Sequence, residues 1–224
     1  VSDWKSIQRH LGLVDDGVPG QGTADAVAKA LGIVAAVATA TDITLRGAME
    51  IVSHEAIVQE CYRDSVGVWT WSVGVTNASG HEVYPRYKDN PQPLDKCLAI
   101  YIWLLRTKYL PDVLAAFSGF PLSETQLTAA LSFHYNTGAI KRAGWVASVK
   151  AGRMSQAREQ FLEWRSPPEI IPRRKAERDL FFAGTWSSDG KVNVYPVAKP
   201  SYSPAWGKIK RVDITADLTK AMAL

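Results

Sequence analysis

The sequence predicts an α+β protein that is mainly helical. Segments with apolar residues at three- and four-residue spacing recur along most of the chain. One short stretch, residues 68–75, alternates large apolar side chains with small ones, as a strand does. From residue 187 the helical spacing gives way to turn residues around one further strand, DGKVNVYPV, with the remainder irregular.

At 224 residues, 46% of them hydrophobic and 21% charged, the chain is long enough for one substantial domain and a small additional module. Residues 3–12 form an amphipathic helix that starts at a capping Asp3, aligns Trp4, Ile7 and Leu11, and stops at Gly12. The turn VDDGVPGQGT follows, and Thr23 caps a second helix that carries Ala26, Val27, Ala30 and Leu31 up to Gly32. The apolar run IVAAVATA at 33–40 falls far short of the roughly 18 residues of a membrane span, and it has no basic leader. It reads as a linker, and neither stable membrane insertion nor a secretory signal is expected.

Thr44 opens a third helix, expected to reach about Val58, with Leu45, Ala48, Val52 and Ala56 in one stripe. Glu55 falls beside that stripe near the helix end, where partial desolvation favours a protonated carboxyl group. The chain turns at Asp64-Ser65-Val66-Gly67 into the strand, whose alternation puts Thr70, Ser72 and Gly74 on one face and Trp69, Trp71, Val73 and Val75 on the other. Residues 94–109 form a long apolar helix. Another starts at Pro111, and another at Ser123, whose spacing to Gln126 is a capping box. Further helical patterns cover 144–151, 155–164 and 168–182.

Cys61 and Cys97, 36 residues apart without a partner motif, are expected to be free and buried. His54-Glu55 lacks a second His four positions after the first, so no metal is expected. Residues 141–178 hold ten basic and four acidic side chains, a surplus greater than the net +4 of the whole chain. Such a region suits polyanions, wall polymers included, or is a set of solvated helix faces. No nucleic-acid motif accompanies it, so no nucleic-acid partner is expected.

Glu55, Asp64 and Thr70 form the pattern Glu-x8-Asp-x5-Thr. With 9 Glu, 13 Asp and 13 Thr in the chain, it arises by accident about 0.03 times. Their placement at a helix end, a turn and a strand can build one wall of a cleft. The chemistry suits glycoside hydrolysis: Glu55 protonates the leaving oxygen, and Asp64 and Thr70 handle water.

At these residues the chain resembles the phage-type lysozymes of glycoside hydrolase family 24. The resemblance extends through Tyr62-Arg63-Asp64, Gly67-Val68-Trp69-Thr70, Gly74, Ala130-Leu131-Ser132-Phe133, Asn136-Thr137-Gly138, Phe161-Leu162 with Trp164, and Arg173-Arg174 followed by Glu177-Arg178. It implies a lysozyme-like fold with a small β-hairpin lobe, a helical lobe and a glycan cleft. It implies catalysis by Glu55, Asp64 and Thr70, cleaving the β-1,4 bond between N-acetylmuramic acid and N-acetylglucosamine, usually with inversion. It also implies substrate contacts at Gly74, Tyr135 and Asn136; for the last two, packing of a helix end against Trp164 is the alternative. The chain departs from the family where Ala56 follows Glu55, where Val75 replaces a His, and in PPEIIPRR before the Arg pair.

Residues 1–34 resemble a shortened peptidoglycan-binding module through Ile7, Gln8, Leu11, Asp16, Gly17, Pro19, Gly20, Thr23, Ala26 and Leu31. Trp4, Gln8, Asp16 and Gly17 are then the expected wall contacts. The organisation expected is this module at 1–34, a linker at 35–43, a catalytic domain at 44–186 and an extension at 187–224. The resemblances together imply a monomeric endolysin without a cofactor, acting on peptidoglycan glycan strands and held in the host cytoplasm until release. Two alternatives are a lytic transglycosylase and a non-catalytic wall-binding or virion protein.

Overall fold

The structure, a computed structural model, describes residues 3–31 and 39–223, so Gly32 and the first four residues of the expected linker, 35–38, lie outside the described residues. In chain order the helices are α1 (Trp4–His10), α2 (Gln21–Ala30), α3 (Leu45–Ser53), α4 (Leu94–Leu104), α5 (Leu110–Ala116), α6 (Glu124–Thr137), α7 (Gly144–Lys150), α8 (Met154–Phe161), α9 (Ile171–Ala183) and α10 (Thr215–Met222). The strands are β1 (Ala56–Arg63), β2 (Trp69–Ser72), β3 (Val75–Thr76), β4 (Lys191–Tyr195), β5 (Val197–Ala198), β6 (Ser203–Pro204) and β7 (Lys210–Asp213). The α+β, mainly helical class holds. The chain divides into two compact units, Val1–Ile43 with Leu110–Ser187 and Thr44–Tyr109 with Ser188–Leu224.

The first unit is helical. Its core is an aromatic cluster in which Trp145 lies 4.6 Å from Phe161, 5.2 Å from Phe181 and 5.3 Å from Phe133, ring centre to ring centre. Contacts at these distances add about 0.5–1.5 kcal/mol per pair beyond area burial. α6 starts in the expected capping box: Ser123 Oγ accepts the Gln126 N–H at 3.3 Å, and Gln126 Oε1 accepts the Ser123 N–H at 3.0 Å. It ends at Gly138, whose φ of 62° suits a residue without Cβ.

The N-terminal helices pack within this unit. Asp3 caps α1 as expected, accepting the Ser6 N–H at 2.7 Å. Thr23 does not cap α2. The helix starts two residues earlier, and the buried Thr23 hydroxyl accepts a hydrogen bond from Gln8 Nε2 at 3.3 Å. Gly20 and Gly22 lie against the backbone of Ala183 and Phe182; a Cβ at Gly20 would meet the Ala183 carbonyl at 3.0 Å.

The second unit carries the sheet, in the order β3-β2-β1-β4-β7. β1 runs antiparallel to β2 and parallel to β4, while β7 pairs antiparallel with β4 at the edge. α3 is capped by Thr44, whose hydroxyl accepts the Gly47 N–H at 3.0 Å. It ends at Ser53, not near Val58. Residues 56–63 are claimed by strands on both sides, and Ile57, Val58 and Cys61 gain burial that a continued helix would not supply. α4 ends at Leu104, and a π-helical turn covers Leu105–Tyr109. The chain after residue 187 is not irregular beyond one strand: it supplies β4 to β7 and α10, and Val192, Val194, Ile214 and Leu218 enter the core. Both cysteines are free and buried, and burial raises the thiol pKa to about 11 at Cys61 and about 12 at Cys97.

Candidate active site

Glu55, Asp64, Thr70 and Gly74 all belong to the sheet-bearing unit. Glu55 lies between the end of α3 and the start of β1, half-buried, with its N–H donating to the Val52 carbonyl at 3.0 Å. It therefore sits on a short, fixed connection rather than on the helix.

Asp64 directly follows β1 and organises the turn to β2. Its Oδ1 accepts the N–H groups of Val66 at 3.0 Å and Val68 at 2.9 Å, and its own N–H donates to the Val68 carbonyl at 3.0 Å. Gly67, with φ 83°, gives the turn a left-handed position that a side chain would strain. The pairing of β1 with β2 shifts register between Val58 and Tyr62, and such a bulge re-aims the residues that follow it. Beyond the shift Tyr62 faces Thr70 and Arg63 faces Trp69.

Thr70 is buried on β2. Its hydroxyl lies 3.5 Å from Asp64 Oδ2 and 3.2 Å from the Val68 carbonyl. Asp64 Oδ1 is committed to the turn, which leaves Oδ2 as the oxygen facing Thr70. Two residues further along β2, Ser72 is fully buried and donates to the Cys97 carbonyl at 2.8 Å. Gly74, exposed with φ 75°, turns the chain from β2 into β3.

Two tyrosines complete the surroundings. Burial raises the Tyr62 pKa to about 12, and the charges of Asp64 and Glu55 push it the same way. Burial also raises that of Tyr109, with a further push from Glu55. The Tyr62 phenol thus stays protonated at neutral pH within the field of both carboxylates. Neither was singled out from the sequence for the site, although Tyr62 precedes Asp64 by two positions and faces Thr70 across the pair.

Tyr135 and Asn136 belong to the helical unit, in the last turn of α6. Asn136 Oδ1 accepts from Arg174 Nη2 at 2.7 Å, which orients its amide. Arg174 is buried, stacks over Phe133, and donates to Glu177, as Arg173 Nε does at 2.8 Å. Ser132 Oγ donates to the same carboxylate at 2.6 Å. Two of the ten cations between 141 and 178 are therefore interior rather than a surface for polyanions.

Among the expected wall contacts, Trp4 is exposed, whereas Gln8 is buried and internally bonded. Its amide nitrogen donates to Asp16 Oδ1 at 2.8 Å and the Val18 carbonyl at 3.0 Å, and its oxygen accepts the Gly17 N–H at 2.8 Å. Gln8, Asp16 and Gly17 are joined as the pin of the hairpin.

Comparison with known proteins gives this arrangement its family. The phage lysozyme family matches residues 52–177, more than half of the chain. The chain belongs to the phage lysozyme family. Solved structures agree in fold. A mutant of P22 lysozyme superposes with a TM-score of 0.53 at 24% identity, covering 62% of this chain and 97% of the other. The endolysin of Escherichia coli O157:H7 phage FAHEc1 gives 0.55 at 18% identity, covering 66% and 97%. No curated protein matches the chain. As a phage lysozyme the protein is a glycoside hydrolase with lysozyme or endolysin function, and its substrate is the peptidoglycan of the bacterial cell wall. Both the N-terminal hairpin and the chain beyond residue 177 lie outside the matched lysozyme segment.

Proposed function

We propose that this lysozyme hydrolyses the β-1,4 bond between N-acetylmuramic acid and N-acetylglucosamine, with Glu55 as general acid and with Asp64 and Thr70 holding the attacking water. The observation that carries this reading is the pairing of Asp64 Oδ2 with the Thr70 hydroxyl at 3.5 Å. The Thr70 hydroxyl has the Val68 carbonyl at 3.2 Å and Asp64 Oδ2 at 3.5 Å as acceptors for its proton, and in donating to the carbonyl it keeps its lone pairs for a water proton. Asp64 Oδ2 accepts the other water proton, so the water's oxygen lone pair is aimed outward as Asp64 takes the proton. Glu55 gives its proton to the leaving glycosidic oxygen as the bond breaks. Water on the face opposite the leaving group yields inversion.

Gly74, with no side chain on an exposed turn, and the oriented amide of Asn136 with neighbouring Tyr135 are proposed glycan contacts. Trp4, at the exposed start of α1, is the proposed wall contact of the hairpin at 1–34, with Gln8, Asp16 and Gly17 shaping it. An endolysin of this kind waits in the host cytoplasm until the membrane is opened, and it acts as a monomer. Digestion of purified sacculi with mass analysis of the products tests the chemistry. Muropeptides ending in a reducing muramic acid are expected; anhydro products would assign a lytic transglycosylase instead.

A further inference from the structure

The segment WGKIKR at 206–211 lies outside both the family match and the proposed catalytic site. It exposes what a folded chain ordinarily covers. Trp206 is 67% exposed and Ile209 45% exposed, and Lys208, Lys210 and Arg211 are exposed beside them. A short 3-10 turn, Trp206–Lys208, holds the indole out, closed by the Lys208 N–H donating to the Ala205 carbonyl at 2.8 Å. The edge contact with Tyr195, 5.1 Å between ring centres, fixes one side of the indole without burying it. The turn leads directly into β7, the edge strand, where Lys210 pairs with Val194 and Arg211 with Asn193. Arg211 leans on Asp189 at 2.6 Å, an ion pair in which both partners are more than half exposed. Such an exposed pair contributes little to stability and leaves the guanidinium solvated.

We propose that Trp206, Ile209, Lys208, Lys210 and Arg211 form a docking patch for an anionic lipid surface. An indole is amphipathic and settles at the headgroup level of a bilayer, where its ring is buried and its N–H stays wet. Ile209 favours lipid over a polysaccharide, because a hydrated glycan offers little reward for covering an aliphatic side chain. Lys208 and Lys210 carry long apolar stems that lie along a lipid boundary while their ammonium groups reach the phosphates. Each cation near an anionic leaflet strengthens association by about fivefold. No helix among the described residues is long and apolar enough to cross a membrane. The binding proposed is adsorption, and it would concentrate the enzyme where a bacterial membrane adjoins the wall.

The test is co-sedimentation of the full chain with vesicles of equal parts phosphatidylglycerol and phosphatidylcholine, against vesicles of phosphatidylcholine alone. The wild type is expected to pellet with the anionic vesicles and to be released as salt rises. Trp206→Ala should weaken binding about tenfold, as expected for losing one buried aromatic ring. Lys208→Gln combined with Lys210→Gln should weaken it about 25-fold at low salt. All these side chains are exposed, so melting temperature and activity on soluble glycan fragments should be unchanged. Equal pelleting with both vesicle types would overturn the proposal. So would a Trp206→Ala variant that binds like wild type, which would reduce the effect to general charge attraction. Trp206-dependent retention on lipid-free sacculi without vesicle binding would assign the patch to a wall polymer instead.

Discussion

The Thr70 hydroxyl lies 3.5 Å from Asp64 Oδ2, while Asp64 Oδ1 is tied to the N–H groups of Val66 and Val68. One carboxylate oxygen builds the turn and the other faces the Thr70 hydroxyl, where the proposed mechanism places the attacking water. Asp64→Asn is therefore expected to reduce turnover of sacculi by about 10² or more through loss of the base. Thr70→Ser keeps an acceptor for water and should lose far less than Thr70→Val. Comparable losses for Ser and Val would remove Thr70 from the water-holding role.

Glu177 accepts hydrogen bonds from Arg173, Arg174 and Ser132 in the interior of the helical unit. Removing one partner of a buried charge cluster costs about 3–5 kcal/mol, because the remaining charge is stranded. Glu177→Gln should lower unfolding free energy by about that amount in urea titration. A loss below about 1 kcal/mol would mean that the guanidinium groups find other compensation.

Burial raises the thiol pKa of Cys61 to about 11 and of Cys97 to about 12, against 9.0 for an unperturbed thiol. Above about pH 9 the unfolded chain loses protons that the folded chain still holds, so stability falls as pH rises. The contribution is fully present below about pH 9 and is lost as pH climbs through 11 to 12. The urea midpoint should hold steady up to about pH 9 and then decline. In Cys97→Ala the decline should be shallower; an equal slope in both proteins would contradict this assignment.

The N-terminal hairpin separates folding from binding at two residues. Gln8 joins Asp16, Gly17, Val18 and Thr23, whereas Trp4 projects from the start of α1. Gln8→Ala leaves buried polar groups unpaired, at about 1–3 kcal/mol, and should speed proteolysis within the first 31 residues. Trp4→Ala should leave proteolysis unchanged but reduce retention of a Glu55→Gln background on sacculi. Undiminished retention would make the hairpin a packing element only.

Local structure was legible in the sequence, and long-range pairing was not. The Glu55, Asp64 and Thr70 spacing could be read because a helix end, a turn and a strand follow one another directly along the chain. The cap at Asp3 and the capping box at Ser123 were readable for the same reason. The end of α3 at Ser53 was hidden, because the apolar stripe continues to Ala56 and only strands β2 and β4 reveal why the chain extends there. The parallel register Ala56 to Asn193 joins residues more than a hundred positions apart, beyond any local pattern. Gln8 read as a wall contact of the module, and its burial follows from partners supplied by the turn and α2. Tyr62 could be quoted from the sequence beside Asp64, but its position opposite Thr70 follows from the β1–β2 register, which no local pattern fixes.

Glu55 is the proposed proton donor, and the Glu55→Gln variant tests that role most directly. Its turnover of purified sacculi should be measured beside its melting temperature. The substitution keeps the side-chain shape on a half-buried connection, so melting should stay close to wild type while turnover falls by about 10² to 10⁴. A folded Glu55→Gln protein that clears sacculi at the wild-type rate would contradict the assignment and place the acid elsewhere.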